Sequence, residues 1–295
     1  MKPSPFTYHR PHSVGEAAEM LATLGDAAKV LAGGQSLVPL MSMRLAAPSD
    51  LVDVNHIPGL DTVEVTDTHV RVGALARHSR LEKDDAAYAA APLLRQALLN
   101  VAHPTIRNRG TTVGSLVHAD PAAEMPAVLM LLDGTVSLVA SSGTRNVPAA
   151  DFFVGPMESA ARADEIAVTA SFRRPRPGTG SSFLELARRH GDYAMCGVGA
   201  LVSTDHDDAV TSAKVALISV GAGPVLVDVT PAVSGSCGGF VDTVLRDLVD
   251  ASIDPEADIH ASAEYRRHLA HVLTARALDD ALQRSLRTRR DERAA

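Results

Sequence analysis

Two runs of small residues are placed to do chemistry, and both would do it chiefly with backbone. The first, Ala32-Gly33-Gly34-Gln35-Ser36-Leu37-Val38-Pro39-Leu40, emerges from the short β-type run Val30-Leu31-Ala32 and leads into a segment of helical character. Paired glycines let a chain turn sharply and let successive N–H groups converge on a diphosphate with no Cβ in the way. Ser36 adds a hydroxyl donor. A tight strand-to-helix turn without a ligand is the plainer reading of the same letters. The second run is Thr105-Ile106-Arg107-Asn108-Arg109-Gly110-Thr111-Thr112-Val113-Gly114-Ser115-Leu116-Val117-His118-Ala119-Asp120-Pro121-Ala122-Ala123-Glu124. Asp120 before Pro121 predicts a helix start, with the carboxylate as cap and proline in the first helical position. Glu124 would then fall in the first turn, where its charge suits the helix dipole.

Other chemistries have no foothold in these residues. Gly221-Ala222-Gly223 lacks the third glycine of a dinucleotide fingerprint and runs into Pro224, and none of the four lysines follows a glycine as in a phosphate-binding P-loop. There is no H-E-x-x-H, C-x-x-C or G-x-S-x-G. His268 and His271 share a helical face rich in charge, which explains them more simply than a metal does. Cys196 and Cys237 are too few for an iron–sulfur cluster or a Cys-only zinc site within one chain. With 28 basic and 35 acidic residues the net charge is −7, so the overall field repels polyanions, no nucleic-acid partner is expected, and any anionic ligand must be held by local donors.

The elements that must hold these runs are legible from periodicity. Helical spacing of Ala17, Met20, Leu21 and Leu24 predicts a helix over Val14–Leu24 ahead of the first run. Period-two alternation predicts strands over 69–74 and 135–139. Leu93, Leu94, Ala97, Leu98 and Val101 form a helical stripe, and 122–132 is a further helix candidate. Periodicity stops at 173–180, where prolines and glycines mark a domain boundary. Beyond it, 198–202, 215–220 and 225–229 predict strands, and a final helix carries Tyr265, Leu269, Val272 and Leu273 on one face, with Ala277 and Ala281 following. A charged tail over 284–295 is expected to fray. The length of 295 residues suits two domains, and no run is long and apolar enough for a signal peptide or membrane span. Free thiols in a reducing cytoplasm are the expectation.

The two runs together resemble the paired FAD-binding loops of the medium subunit of molybdenum hydroxylases, the family of the aerobic carbon monoxide dehydrogenase flavoprotein and the xanthine dehydrogenase flavin domain. Ala187-Arg188-Arg189-His190-Gly191-Asp192-Tyr193-Ala194 and Asp258-Ile259-His260-Ala261-Ser262-Ala263-Glu264-Tyr265-Arg266-Arg267 resemble its C-terminal domain. The resemblance implies an α+β fold: a vanillyl-alcohol-oxidase (PCMH) type FAD-binding domain over 1–176, with α/β subdomains of about 1–57 and 58–176. A C-terminal α+β domain of the carbon monoxide dehydrogenase flavoprotein type would follow over 181–285, then a charged tail over 286–295. It implies that Ala32, Gly33, Gly34, Gln35, Ser36 and Leu37 wrap the FAD diphosphate and that Thr111, Gly114, Ser115 and His118 line its other side. Asp120 and Glu124 would reach cofactor hydroxyls or loop amides, Ile166 would approach the flavin, and Tyr193 would cover or flank the ring. No catalytic residue and no metal ligand is implied in this chain.

Two positions depart from the family pattern. Matched without a gap, which also aligns Gly110 and His118-Ala119-Asp120-Pro121, Val113 stands on the first glycine of the relatives' Thr-Ile-Gly-Gly, where positive φ would strain a β-branched residue; with the register slipped by one, Ser115 replaces the second glycine instead. Glu185 stands where many relatives carry lysine. The implied partners are a large molybdenum-cofactor subunit and a small subunit with two [2Fe-2S] clusters, as a dimer of heterotrimers in the cytoplasm. This chain would then be an oxidoreductase subunit that takes electrons from the iron–sulfur subunit and passes them to a terminal acceptor. A stand-alone flavin oxidoreductase with His190 as base, or a scaffold that has lost FAD, are the alternatives.

Overall fold

The computed structural model describes residues 2–234 and 239–294, with side chains through residue 290; Cys237 lies outside the described residues. The first run grows out of a small parallel sheet in the order β1 (Thr7–His9), β3 (Asp50–Asp53), β2 (Ala28–Leu31). Helix α1 (Val14–Leu24) is the crossover from β1 to β2, which run parallel on either side of β3. Ser13 caps it by accepting from the Glu16 N–H at 3.1 Å, and Gly25 at φ 61° ends it. Helix α2 (Leu37–Ser42) follows the glycines.

The second sheet is antiparallel, in the order β4 (Val63–Val65), β5 (His69–Gly73), β10 (Ile166–Arg173), β6 (Thr135–Ala140), β7 (Gly143–Pro148). Between β5 and β6 run α3 (His78–Lys83), α4 (Asp85–Ala90), α5 (Pro92–Leu98), α6 (Pro104–Arg107), α7 (Thr112–His118) and α8 (Glu124–Leu131). After β7 come α9 (Ala149–Phe152) and the small hairpin β8 (Phe153–Gly155) and β9 (Glu158–Ser159). The stripe through Val101 is therefore shorter than its periodicity, because α5 ends at Leu98 and Ala102 takes positive φ.

The third sheet is a meander of β11 (Thr179–Ala187), β12 (Ala194–Thr204), β13 (Val210–Ile218) and β14 (Val225–Asp228). Alternate residues face opposite ways along a strand. Cys196, Val198, Ala200 and Val202 accordingly join one apolar core with the last helix, while Phe183, Ala216 and Ile218 join the core of the preceding sheet and helices. A short hairpin of β15 (Val233–Ser234) and β16 (Gly239–Phe240) precedes α10 (Asp242–Asp250), and α11 (Ala263–Ala294) closes the chain.

Helix α11 lies hard against β11. A Cβ on Gly180 would stand 1.9 Å from the Ala281 carbonyl oxygen, so glycine is required there. Two expectations are corrected at this helix. Residues 284–294 continue as helix instead of fraying, because the Ser285 hydroxyl donates to the Gly178 carbonyl at 2.6 Å, Arg284 to the Ser181 carbonyl at 2.9 Å and Arg289 to the Thr204 carbonyl at 2.8 Å. Tyr265 lies outside the buried stripe, 43% exposed, and Arg266 takes the inward position.

Candidate functional site

The first run leaves β2 at the carboxyl end of the parallel sheet, the edge at which open α/β sheets take ligands. Gly33 is pressed onto the second run: a Cβ there would meet the Arg109 carbonyl oxygen at 2.5 Å, Gly110 Cα at 2.9 Å and Thr111 N at 3.1 Å. Gly34, at φ 71°, then turns the chain into α2. The two runs are thus one structure in contact, and they border a cleft of about 360 Å³ lined by Ala32, Gly33, Gly34, Gln35, Asp53, Asn55 and Arg109, among others.

Polar side chains far apart in sequence fasten this junction. Asn55 donates from Nδ2 to the Ala32 carbonyl at 2.8 Å and to Asp53 Oδ1 at 2.7 Å. Arg77 donates to Asn55 Oδ1 at 2.7 Å and to the Arg109 carbonyl at 2.6 Å, tying the first run to the second. Asp53 accepts on its other oxygen from the Tyr8 hydroxyl at 2.5 Å. Against the burial that would raise it, these hydrogen bonds hold the Asp53 carboxyl below its ordinary value, so it stays ionised. Burial, and then the neighbouring charge of Arg109, lower the proton affinity of Arg77. Tyr8, Asp53, Asn55 and Arg77 lie outside both runs and Arg109 lies within the second without an assigned role, since bonds across such separations leave no local periodicity.

The amides of the two runs differ. Among the described residues, the N–H groups of Gly34, Gln35 and Ser36 donate to no protein acceptor, whereas those of Gly110, Thr112, Gly114 and Ser115 are engaged by Ile106, Ala76, Thr111 Oγ1 and Thr111 O. Thr111 is the N-cap of α7, and Gly114, Ser115 and His118 lie within that helix rather than in a loop. Val113 also lies in helical conformation in α7, 2% exposed, so the strain foreseen for a β-branched residue there does not arise. The cap role foreseen for Asp120 is corrected too. Ala119 takes the left-handed conformation, Asp120 accepts from the Ala122 N–H at 2.9 Å in a turn, and α8 begins only at Glu124, after Ala123.

A second group forms where the third sheet meets this turn. The Ser219 N–H donates to the Pro121 carbonyl at 2.8 Å, its hydroxyl donates to the Ala194 carbonyl at 2.7 Å, and Arg266 of α11 donates to the Met195 carbonyl at 2.7 Å and to Asp258 at 2.6 Å. The Asp258-to-Arg266 signature therefore braces the start of β12, next to Tyr193. Tyr193 itself is 72% exposed, and partial loss of water together with the charges of Asp120 and Glu124 raises its hydroxyl above the ordinary value. Burial, then the charge of Glu185, pushes the Glu124 carboxyl up to about 8, and burial pushes Glu185 up to about 7. Glu185 Oε2 is buried without a hydrogen-bond partner. Burial lowers the proton affinity of His118, opposed by Asp120.

Apart from Thr111, Gly114 and Ser115, which lie at the start of α7 outside the cleft lining, and Ile166, the predicted residues fall into two groups. Ala32 to Gln35 line the cleft, with Ser36 and Leu37 opening α2 beside them. His118, Asp120, Glu124 and Tyr193 cluster with Glu185. Ile166, the first residue of β10, has its side chain in the core at 2% exposure and belongs to neither. His271 is paired with Asp250 at 3.0 Å and His268 stacks on Tyr265, which accounts for that histidine pair.

Glycines in contact, unengaged amides and an enclosing polar frame give the junction donors and space that suit an anionic ligand. Known proteins similar to this chain define its family. Residues 4–172 match the FAD binding domain in molybdopterin dehydrogenase, and 181–281 the carbon monoxide dehydrogenase flavoprotein C-terminal domain. The chain is 36% identical over 297 residues to the 6-hydroxypseudooxynicotine dehydrogenase complex subunit alpha of Paenarthrobacter nicotinovorans, covering 98% of each. Among solved structures it is similar to carbon monoxide dehydrogenase from Hydrogenophaga pseudoflava, in a form lacking the Mo-pyranopterin moiety (TM-score 0.90, 32% identity, 96% of this chain and 99% of that one). It is also similar to quinoline 2-oxidoreductase from Pseudomonas putida 86 (TM-score 0.88, 33% identity, 97% and 100%). The chain belongs to the FAD-binding medium subunits of the molybdenum hydroxylases, a family of oxidoreductases.

No helix among the described residues is long and apolar enough to cross a membrane. Cys196 is a free thiol in the core of the third sheet, pushed up to about 12 by burial.

Proposed function

We propose that this chain binds one FAD with its diphosphate over Gly33, Gly34 and Gln35 and its ring toward the group formed by Tyr193, Glu124 and Glu185. The observation that supports it best is the contact of Gly33 with Arg109, Gly110 and Thr111, which leaves the amides of Gly34 and Gln35 unengaged at the cleft. Such donors favour phosphoryl oxygens, and the glycines keep Cβ atoms out of their way. The buried, unpartnered Glu185 Oε2 is a further polar atom that a flavin's N–H would satisfy. Bound FAD supplies the redox chemistry, and the residues of this chain hold and orient it.

The assembly follows from the two cysteines: clusters that feed the flavin must sit on another chain. The chain is then the flavoprotein of a cytoplasmic complex with a large molybdenum-cofactor subunit and a small iron–sulfur subunit, two such trimers associating. It receives electrons from the small subunit and passes them to a terminal acceptor. Substrate choice belongs to the large subunit, in keeping with relatives named for compounds as unlike as carbon monoxide and quinoline.

The test compares the purified chain with the complex isolated from its native host, using the flavin's visible spectrum. One FAD per chain is expected, reduced by carbon monoxide or N-heteroaromatic compounds only when the partner subunits are present. Direct reduction of the isolated flavoprotein by such a compound would establish the stand-alone enzyme, and a colourless chain that refuses added FAD the scaffold.

A further inference from the structure

The second run touches the cleft but has most of its amides engaged within the protein, so whatever it offers an anion must come from elsewhere. Arg109 lines the cleft beside Gly33 and Gly34. Its own carbonyl is fixed by Arg77 at 2.6 Å, yet its guanidinium has no hydrogen-bond or ion-pair partner among the described residues. The carboxylate in the cleft is not available to it: Asp53 accepts from Tyr8 on one oxygen and from the Asn55 backbone and side chain on the other. Arg77 is near enough for the two cations to repel, and both of its terminal nitrogens are already engaged, one by the Arg109 carbonyl and the other by Asn55. In a chain of net charge −7, Arg109 thus stands at the cleft with its guanidinium unpaired, while Arg77 is bonded to the junction behind it. Asp53 offsets part of the repulsion at Arg77, which leaves Arg109 as the cation that a bound anion would pair.

The geometry points to Arg109 as the side-chain anion ligand of the cleft, its guanidinium bonding the phosphoryl oxygens of a diphosphate held by the amides of Gly34 and Gln35, with Arg77 positioning it through its carbonyl. The inference rests on the dinucleotide reading of the cleft and assigns it a charge-selective residue. Guanidinium and phosphoryl oxygens match in geometry, and charge-assisted bonds of this kind are the stronger ones. Removing it therefore weakens diphosphate binding about ten- to a hundredfold.

The test uses the full chain stripped of flavin. FAD and riboflavin binding are read by flavin fluorescence and inorganic pyrophosphate by competition, at low and high salt, for wild type, Arg109→Ala and Arg109→Lys, with melting temperature alongside. Arg109→Ala is expected to lose FAD and pyrophosphate affinity together, to flatten the salt dependence and to leave riboflavin binding unchanged. Arg109→Lys is expected to recover part of the loss. The melting temperature of ligand-free Arg109→Ala should stay level or rise, because a repulsion is removed; a merely structural arginine would lower it. Wild-type FAD and pyrophosphate affinity in Arg109→Ala would overturn the assignment while leaving the flavin reading standing. Arg109-dependent pyrophosphate binding without FAD binding would do the reverse, and a wild-type chain that binds neither would end both.

Discussion

Glu124 and Glu185 carry the least ordinary charges in the molecule. Both carboxyls sit where water is scarce, the charge of Glu185 raises Glu124 further, and Arg107 opposes that rise at Glu124. Arg107 is itself engaged, by Glu82 at 2.8 Å and by the carbonyls of Val101 and Ala102. Their folded-state proton affinity is raised above that of the unfolded chain, so the protonated forms favour the native state. Stability from this source is complete below about pH 4.5, the unfolded value, and is lost as pH rises toward about 8, the value to which Glu124 is pushed. The flavin-free chain should therefore melt at progressively lower temperature from about pH 5 to 8 in calorimetry, and Glu124→Gln should flatten that slope. An equal slope in the variant would place the charge elsewhere. The sequence named Glu124 and singled out Glu185 for its departure from the family, but the charge of Glu185 reaches Glu124 only because the N-terminus of α8 meets β11, which no spacing announces.

At the scale of elements, the sequence announced most of what periodicity governs. α1, β5 and β6 lie where the apolar spacing places them, because amphipathic helices and half-buried strands each repeat a single pattern. Junctions between elements were less legible. Asp120-Pro121 has the letters of a helix start, yet the left-handed Ala119 and the bond from Ser219 to the Pro121 carbonyl make it a turn, and the helix waits for Glu124. Gly33 shows the consequence: it was read as room for a ligand, but its missing Cβ first makes room for the second run. Gly33→Ala should cost about 1 to 3 kcal/mol of stability, as overpacked sites do, and should lower flavin affinity, both measured on the same preparation by denaturant titration and fluorescence. Unchanged stability would mean that the two runs do not press on each other. Arg266→Met, by contrast, should leave the flavin-free fold in place but raise amide exchange at Ala194, Met195 and Ser219, because their brace from α11 is gone. Protection equal to wild type would deny that role.

On the scale of the whole molecule, the third sheet is buried on both faces, by α11 on one side and by the preceding helices, α8 foremost, on the other. Gly199 permits this: a Cβ there would stand 2.7 Å from Leu131 of α8. The boundary read from prolines and glycines at 173–180 is therefore a break in periodicity between units that share a core, since Phe183, Ala194, Ala216 and Ile218 pack with residues of the first 172. A fragment ending at residue 176 would uncover that apolar surface and should bind a hydrophobic dye that the full chain ignores; a dye-silent, cooperatively folding fragment would contradict the shared core. The same docking brings Tyr193 beside Asp120 and Glu124, so the ring end of the proposed flavin site exists only in the assembled molecule, while the diphosphate end belongs to the first unit alone.

The central claim is that the Gly33–Arg109 junction holds a dinucleotide diphosphate, and a crystal structure of the chain with FAD tests it most directly. The diphosphate is predicted within hydrogen-bonding distance of the Gly34 and Gln35 amides, with the flavin ring extending toward Tyr193. FAD bound with its phosphates away from these amides, and the junction unchanged, would contradict the account.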